Sequence, residues 1–488
     1  MKLNVKKTIY VGLAFLVISL FWQIYDNVIT KMLINSFGLN QFWSGAIMAV
    51  DNVLALFLLP LFGYFSDRTK TKYGKRTPYI FLGILFSAIL FIGVSVVDSI
   101  QLKKLDEEGI PPIVTEVRTI DGEETDVYVF DYPGLSETEF LVKEDAQLAR
   151  SEVVITLTKN NSRILVMFII VLFVVLVTMA SYRTPAVSLM PDVTPKPLRS
   201  KANAIINLMG AFGGVVALGL MSFFAHDYES YILLFTLVGV LMVLGLAVFM
   251  LTVNETKLLA QYHEELKEYN LEDDEISEET GEIVEEKLPK DVRRSFLLII
   301  ASIVFWFMAY NAATTKFSIY AQNVLDMGFT LPLLVANAAA IISFIPIGII
   351  ASKFGRKKTV LVGIIILLFA FILGTITTKN TKFLIFFTMS IAGIGWATIN
   401  VNSYPMIVEM ARGNNIGKYT GYYYSASMAA QIVTPILSGL LMDELGMKVL
   451  FPYSLVFTVF AFMTMMFVKH GDSKPIPKSK IEVFEDLD

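Results

Sequence analysis

Two aspartates, Asp26 and Asp51, and one arginine, Arg183, stand inside long apolar stretches. An ionised side chain in hydrocarbon is costly, so each must face protein or a watery cavity and is a candidate for function. At a rise of about 1.5 Å per helical residue, Asp26 sits near mid-bilayer, and Asp51 falls at similar depth. A carboxyl group so placed can take a proton from one side and release it to the other. The competing reading is a static ion pair of Asp26 with Lys316 or Lys31. Arg183 offers forked donors to hydroxyls or to a carboxylate, or else snorkels to the nearer interface.

Around these charges lie rings and amides of the kind that read a sugar, aromatic faces for its apolar side and polar groups for its hydroxyls. Trp22, Gln23 and Tyr25 share the first apolar run with Asp26; Asn52 neighbours Asp51. Trp306, Tyr310, Asn311 and Lys316 come from the seventh run, and Trp396, Asn400 and Tyr404 from the tenth, with Asn400 and Tyr404 one turn apart on one face. Tryptophan is also a common interface anchor, a role that suits Trp43; Asn27 and Asn311 also suit hydrogen bonds between helices.

The elements that must position these groups are membrane spans. The 488 residues are 55% hydrophobic and 17% charged, with mean hydropathy +0.61, too apolar for a soluble domain. A span needs about 20 apolar residues, and 12 runs qualify: 8–34, 42–65, 78–98, 163–187, 200–225, 230–253, 296–323, 331–351, 359–378, 382–409, 417–442 and 449–469. The first is too long for a signal-peptide core and lacks a small-residue cleavage site, so it is expected to stay. Lys and Arg number five at 66–77, three at 192–201, four at 352–358 and two at 410–418, against none at 35–41, 226–230 and 324–330, so both termini are expected in the cytoplasm.

The net charge of −4 comes from acidic soluble segments and gives no reason to expect a nucleic-acid partner. The absence of cysteine excludes disulfides and thiolate chemistry. His226, His263 and His470 lie at loop or tail positions, and no Ser–His or metal constellation is visible, so neither an enzyme, a metal site nor a cofactor is expected.

The chain divides into a bundle at 1–253 with an outside insertion at 99–161, an acidic linker at 254–295, a second bundle at 296–469 and a tail at 470–488. Within the insertion, 113–117 and 127–130 have strand character and Asp121-Gly122 and Pro133-Gly134 are turn signals; a small hairpin cap and a solvated spacer are both open. The linker is expected to begin as an amphipathic helix and continue as a solvated acidic tether over 272–286.

The two bundles repeat. Phe21 to Thr30 aligns without a gap with Phe305 to Thr314, and Phe, Trp, Asn and Thr recur in register. Tyr182-Arg183-Thr184-Pro185 answers Asn402-Ser403-Tyr404-Pro405. Parallel halves related by an axis along the membrane normal are the build of a rocking, alternating-access carrier. The Gly210-Ala211-Phe212-Gly213-Gly214 run is close-packing material.

Between the second and third runs stands Gly63-x-x-x-Asp67-Arg68, then Gly74-Lys75-Arg76 and Pro78-Tyr79; Gly355-Arg356-Lys357-Lys358 repeats part of it after the eighth. This loop resembles the one after the second helix of major facilitator transporters, and its long spacer and Arg-x-Pro-Tyr ending resemble the glycoside/cation and sucrose/H+ symporters. Similarity extends to Pro185 through Asp192 leading to Arg199-x-x-Ala202-Asn203-Ala204, to 393–405, and to Asp26. It implies cytoplasmic gating by Gly63, Asp67, Arg68, Gly74, Lys75, Arg76, Asp192, Arg199, Gly355, Arg356 and Lys357. Sodium-coupled relatives have Asp-x-x-x-Asp-Pro in span 2, where this chain has Ala55, Leu59 and Pro60, which implies protons instead. Sucrose carriers have an arginine where Val187 stands, with Arg183 one turn earlier here.

The expectation is an all-α membrane protein, twelve transmembrane helices in two pseudo-symmetric six-helix bundles of the major facilitator fold. Its expected work is proton-coupled symport of a disaccharide or other glycoside across the cell membrane, by a monomer. Asp26 and Asp51 are the candidate proton carriers. A carrier or exporter of another small solute, anionic or drug-like, and a non-transporting sensor are the alternatives.

Overall fold

Lipid offers no hydrogen-bond partner to the backbone, so apolar runs of this length are driven into helices. The computed structural model describes residues 3–472 apart from 121–122, 136–137, 142, 226–227, 269–288, 318–319, 322–323, 326, 328 and 412–414. Twelve helices are long and apolar enough to cross a membrane. Spans 1 to 6 are Val5–Asn35, Trp43–Arg68, Thr77–Glu107, Arg163–Asp192, Lys196–Phe224 and Ile232–Thr252. Spans 7 to 12 are Lys290–Thr315, Leu331–Phe354, Arg356–Ile376, Leu384–Val408, Ile416–Met442 and Met447–Met466. Their leucine, isoleucine and phenylalanine side chains remain exposed on the flanks, the pattern of a surface made for acyl chains. The end of the bundle with the basic loop 69–76 is called the basic face here; the other is the insertion face.

Three departures from the sequence reading matter for the site. Span 1 is not a uniform helix: Tyr25–Ile29 forms a π-helical turn that carries Asp26. Span 7 ends at Thr315, earlier than the apolar run, so Lys316 caps its end rather than lying within it. The insertion is more than a hairpin. Span 3 continues to Glu107, strands β1 (Val114–Ile120), β2 (Glu123–Val129) and β3 (Glu139–Phe140) pair antiparallel in that order, and a helix at Lys143–Asn160 follows.

That helix escaped the sequence reading because its apolar residues are few among charges. Its Val154 joins Leu105, Ile110 and Phe130 in a small core of the insertion's own, and the folded cap therefore replaces the solvated-spacer alternative. The Pro133-Gly134 turn forms with Gly134 at φ +96°, while Asp121-Gly122 falls outside the described residues. The linker begins as expected with a helix, Glu255–Glu268; the acidic cluster beyond it lies outside the described residues.

The halves meet toward the basic face. A Cβ on Gly63 of span 2 would overlap the carbonyl of Gly417 of span 11, and one on Gly421 would overlap Pro60, so these two helices touch backbone to backbone. The equivalent pair is span 8 against span 5, where a Cβ on Gly348 would stand 2.8 Å from Ala204 and 3.1 Å from the Ser200 carbonyl. Nearer mid-span, Ser425 Oγ donates to Leu56 O at 2.8 Å and Asn203 Nδ2 to Val401 O at 2.8 Å. Toward the insertion face Asp26, Asn27 and Thr315 are exposed, the sign of a cavity between the halves.

Replacing Gly421 by valine is expected to wedge span 2 from span 11. Thr420→Cys, buried in the parent, then reacts about tenfold faster with a water-soluble maleimide in detergent-purified protein. An unchanged rate would show that the contact is not what seals this face.

Candidate functional site

The π-turn of span 1 and the start of span 2 bring Asp26 and Asp51 within electrostatic reach of each other and of Arg183. Arg183 makes no short ion pair among the described residues. Its guanidinium lies 5.3 Å from the Trp22 ring in one half and 4.9 Å from the Tyr424 ring in the other, spanning the seam between them. Asn52 Nδ2 donates to Asp51 Oδ1 at 2.8 Å and orients that carboxylate. Trp22, Asp51, Ala55, Leu59, Leu176, Ala180 and Arg183 together line a small pocket. Asp26 is within electrostatic reach of Arg183, while Lys316 lies against Gly439 of span 11.

Two further groups near this cluster are poised for partners. Trp22 Nε1 and the Tyr25 hydroxyl are buried without a hydrogen bond among the described residues. Tyr25 itself is 0% exposed, stacked on Phe21 at 5.9 Å, so its ring belongs to the bundle core and only its hydroxyl is turned toward the aspartates. Gln23 is half-buried, facing Gly214 of span 5.

Across the cavity, Tyr310 and Trp396 stack with centroids 4.3 Å apart and planes at 8°, with Phe307 edge-on to Trp396 at 4.9 Å. Asn311 follows Tyr310, and its Nδ2 is buried and unpartnered among the described residues. Asn400 Oδ1 accepts a long bond from the Tyr423 hydroxyl at 3.4 Å. Two expected solute contacts sit elsewhere. Trp306 is 1% exposed and fills the core of the second bundle. Tyr404 is buried in the closed seam, its hydroxyl donating to Val187 O at 3.1 Å and sharing a bond with Thr420 Oγ1 at 3.1 Å.

At the basic face the motif residues form a buried charge network. Arg76, 0% exposed, donates from Nη2 to Asp67 at 2.5 Å, from Nε to Asp192 at 2.8 Å and from Nη1 to Ser66. Burial alone would lower the Arg76 pKa; Asp192 and Asp67 outweigh it and hold it above its ordinary value. Lys75 Nζ stands 3.3 Å from Asp192. Asp67 also reaches the other half, accepting from the backbone N–H groups of Gly417 and Lys418 at 2.9 and 2.8 Å, at the N-terminus of span 11. Arg68 is exposed, its guanidinium over the Tyr64 ring at 3.9 Å.

The second half answers with Arg356, which donates to Glu409 at 2.6 Å and crosses to Ser200 Oγ at 3.1 Å and to the Lys196 carbonyl. Arg199 holds the Pro191 and Thr194 carbonyls at 3.0 and 3.1 Å and lies 3.6 Å from Glu409. Lys357 Nζ donates to Met466 O at 3.0 Å.

Sequence reasoning missed several participants. Glu255 accepts from the N–H groups of Lys75, Arg76 and Thr77 at 2.8, 3.1 and 2.8 Å, capping span 3, and Gly74 at φ +106° leaves room for its carboxylate. Asp472 repeats this on span 9, accepting from Arg356 N at 2.6 Å beside Gly355 at φ +95°. The signal was the position of each acid just after the sixth span of its half. Tyr424 was visible only as part of the Tyr422-Tyr423-Tyr424 run. Asp98 of span 3, 0% exposed beside Ser36, has neither carboxylate oxygen hydrogen-bonded among the described residues.

A family model described as Major Facilitator Superfamily matches residues 153–348 and 331–485, and one described as MFS/sugar transport protein matches residues 10–100. Among solved structures, a bacterial homologue of the iron transporter ferroportin in an outward-facing state is similar at TM-score 0.63 and 12% identity, over 95% of this chain and 99% of that one. The major facilitator transporter FucP in its outward conformation gives 0.61 and 11%, over 96% and 99%. The proton:xylose symporter XylE bound to 6-bromo-6-deoxy-D-glucose gives 0.57 and 12%, over 99% and 100%.

Replacing Glu255 by glutamine removes the charge from three to four converging bonds while keeping the side chain's size. A loss of about 1–3 kcal/mol of stability is expected, read as a lower melting temperature of the purified protein. Glu255→Gln melting with the parent would relegate this cap to a bystander.

Proposed function

The chain belongs to the Major Facilitator Superfamily, and from that premise we propose that it is a proton-coupled symporter of a disaccharide or other glycoside, working by alternating access in the cell membrane. It is a multi-pass membrane transporter, not an enzyme. The basic loops support a cytoplasmic basic face with both termini inside, which makes this conformer open to the outside.

The observation that carries the reading is that Asp51 and Arg183 line one pocket with Trp22, with Tyr424 on the other side of the guanidinium and Asp26 within electrostatic reach. One cation there serves two carboxylates. Protonating Asp26 removes one of the charges that compete for Arg183 and frees guanidinium donors for a solute hydroxyl. Solute and proton then favour the same closed arrangement, in which the Trp22 and Tyr310–Trp396 surfaces approach a shared ligand. Opening the basic face breaks the Asp67 bonds to Gly417 and Lys418 but leaves its Arg76 bond intact, since both of those residues move with one half.

Aromatic faces and unpartnered amide and indole donors suit a neutral, hydroxyl-rich solute, and the sugar-transport family match covers Trp22 through Asn52. Arg183 and the rim position of Lys316 favour one second reading, an anionic solute. The iron transport named for one structural relative stays with that protein: at 12% identity the likeness is of fold.

The deciding measurement is uptake of labelled sucrose, maltose and an organic acid by proteoliposomes, with and without an inward proton gradient. Gradient-driven accumulation of a sugar is expected. Asp26→Asn should cut that uphill accumulation at least about tenfold while solute exchange at equal pH persists. Movement of the acid alone selects the anionic reading. Full activity with both Asp26 and Asp51 neutralised would sink proton coupling through them.

A further inference from the structure

A buried cation of the insertion grips the end of span 1. Arg150, on the insertion helix, is 4% exposed. Its Nη1 donates to Asn35 O at 2.6 Å, its Nε donates to Pro111 O at 2.9 Å, and its guanidinium lies 4.5 Å from the Tyr228 ring in the loop between spans 5 and 6. Asn35 is the last residue of span 1, so the cation also sits at the negative end of that helix. Burial pushes the Arg150 pKa down to about 10, against a smaller rise from Tyr228, so it stays charged at neutral pH.

Two other contacts key the same tip to the insertion. Gln147 Nε2 donates to Asn35 Oδ1 at 3.1 Å. Gly38, at φ +69°, packs so closely that a Cβ there would stand 2.5 Å from Ile155 N. Below the tip the helix is interrupted by the π-turn Tyr25–Ile29, a defect of the kind at which helices bend. Every partner in this clamp belongs to the first half. The clamp therefore fixes the short segment Thr30–Asn35 on one side of a hinge that itself carries Asp26.

We propose that Arg150 is a positioning residue for the transport site: by anchoring the span 1 tip to the insertion and to the span 5–6 loop, it holds that tip off span 7 and keeps the cavity open above Asp26. The insertion is in this sense a prop for the outer gate, and release of Arg150 lets the tip swing at the π-turn toward Thr315. This goes beyond the transport reading and does not depend on which solute is carried.

The chain has no cysteine, so Thr315→Cys supplies a single thiol one turn beyond Asn311 on span 7. Its labelling rate by a water-soluble maleimide, with the protein in lipid nanodiscs and no solute present, reads how far the tip stands off. Adding Arg150→Ala is expected to slow labelling about tenfold, the size of one charge-assisted hydrogen bond. Arg150→Lys should fall between, keeping the charge but losing the fork and the stacked plane. Arg118→Ala, in the exposed sheet, should leave the rate unchanged. Melting curves report whether each variant is folded; where Arg150→Ala is not, Tyr228→Ala decides, with an expected slowing of about threefold from the lost ring. An unchanged or faster rate in the folded deciding variant overturns the proposal, whatever the outcome of the uptake measurements.

Discussion

The closed end of this transporter depends on two helices that touch through glycine and on a carboxylate that crosses the gap. Gly63, Gly417 and Gly421 let spans 2 and 11 approach without side chains between them, and Asp67 then finds the free N–H groups of Gly417 and Lys418 at a helix N-terminus. Neither feature is sufficient alone. Dispersion between bare backbones is weak per atom and falls steeply with a gap of half an ångström. A carboxylate aimed at a helix dipole is screened if water enters. Together they form a seal that is dry because it is close and close because it is dry. Such a contact is bistable, which is what a gate needs.

Charge bookkeeping around that seal follows the twofold repeat. Arg76 is flanked by Asp67 and Asp192, and Arg356 by Glu409 with Asp472 on its backbone N–H. In each half an acid that follows the sixth span caps the third, Glu255 in one and Asp472 in the other. The halves differ in which partner crosses the seam. In the first it is the acid Asp67, reaching amide donors, with Arg199 3.6 Å from Glu409; in the second it is the cation Arg356, reaching the Lys196 carbonyl and Ser200 hydroxyl. The desolvation of each buried ion is met mainly within its own half. Opening thus costs only the crossing bonds, and the two crossings need not break together.

The fold was legible because lipid imposes it. Runs of about twenty apolar residues can only be helices, and the Lys/Arg bias and the aligned Phe21 and Phe305 segments marked two similar bundles. The site was legible where a residue violates its setting, as Asp26, Asp51 and Arg183 do. It was not legible where neighbours on one helix face meet different surroundings. Trp306 and Tyr310 are one turn apart in sequence, yet one fills a core while the other stacks on Trp396. Tyr404 looked like a ligand contact because polar residues in spans suggest cavities; a seam between two moving halves has the same composition. The insertion helix was hidden by its charges, of which Asp145, Glu152 and Lys159 are exposed while Arg150 is buried.

The π-turn deserves its place at the centre of any account of coupling. An inserted residue in a helix leaves one backbone carbonyl with a weakened partner and turns the side chains after it by roughly one position, about 100°. In span 1 that turn begins at Tyr25 and includes the exposed Asp26. Were the helix to regain regular α geometry, the carboxylate would rotate relative to Arg183 while the tip beyond it swung. Charge state and gate position then become properties of one local backbone equilibrium. In the proposed coupling, a proton on Asp26 would relax the claim on Arg183 from one end of the hinge and the Arg150 clamp on Asn35 would restrain it from the other, so both would bias the same two states without touching each other.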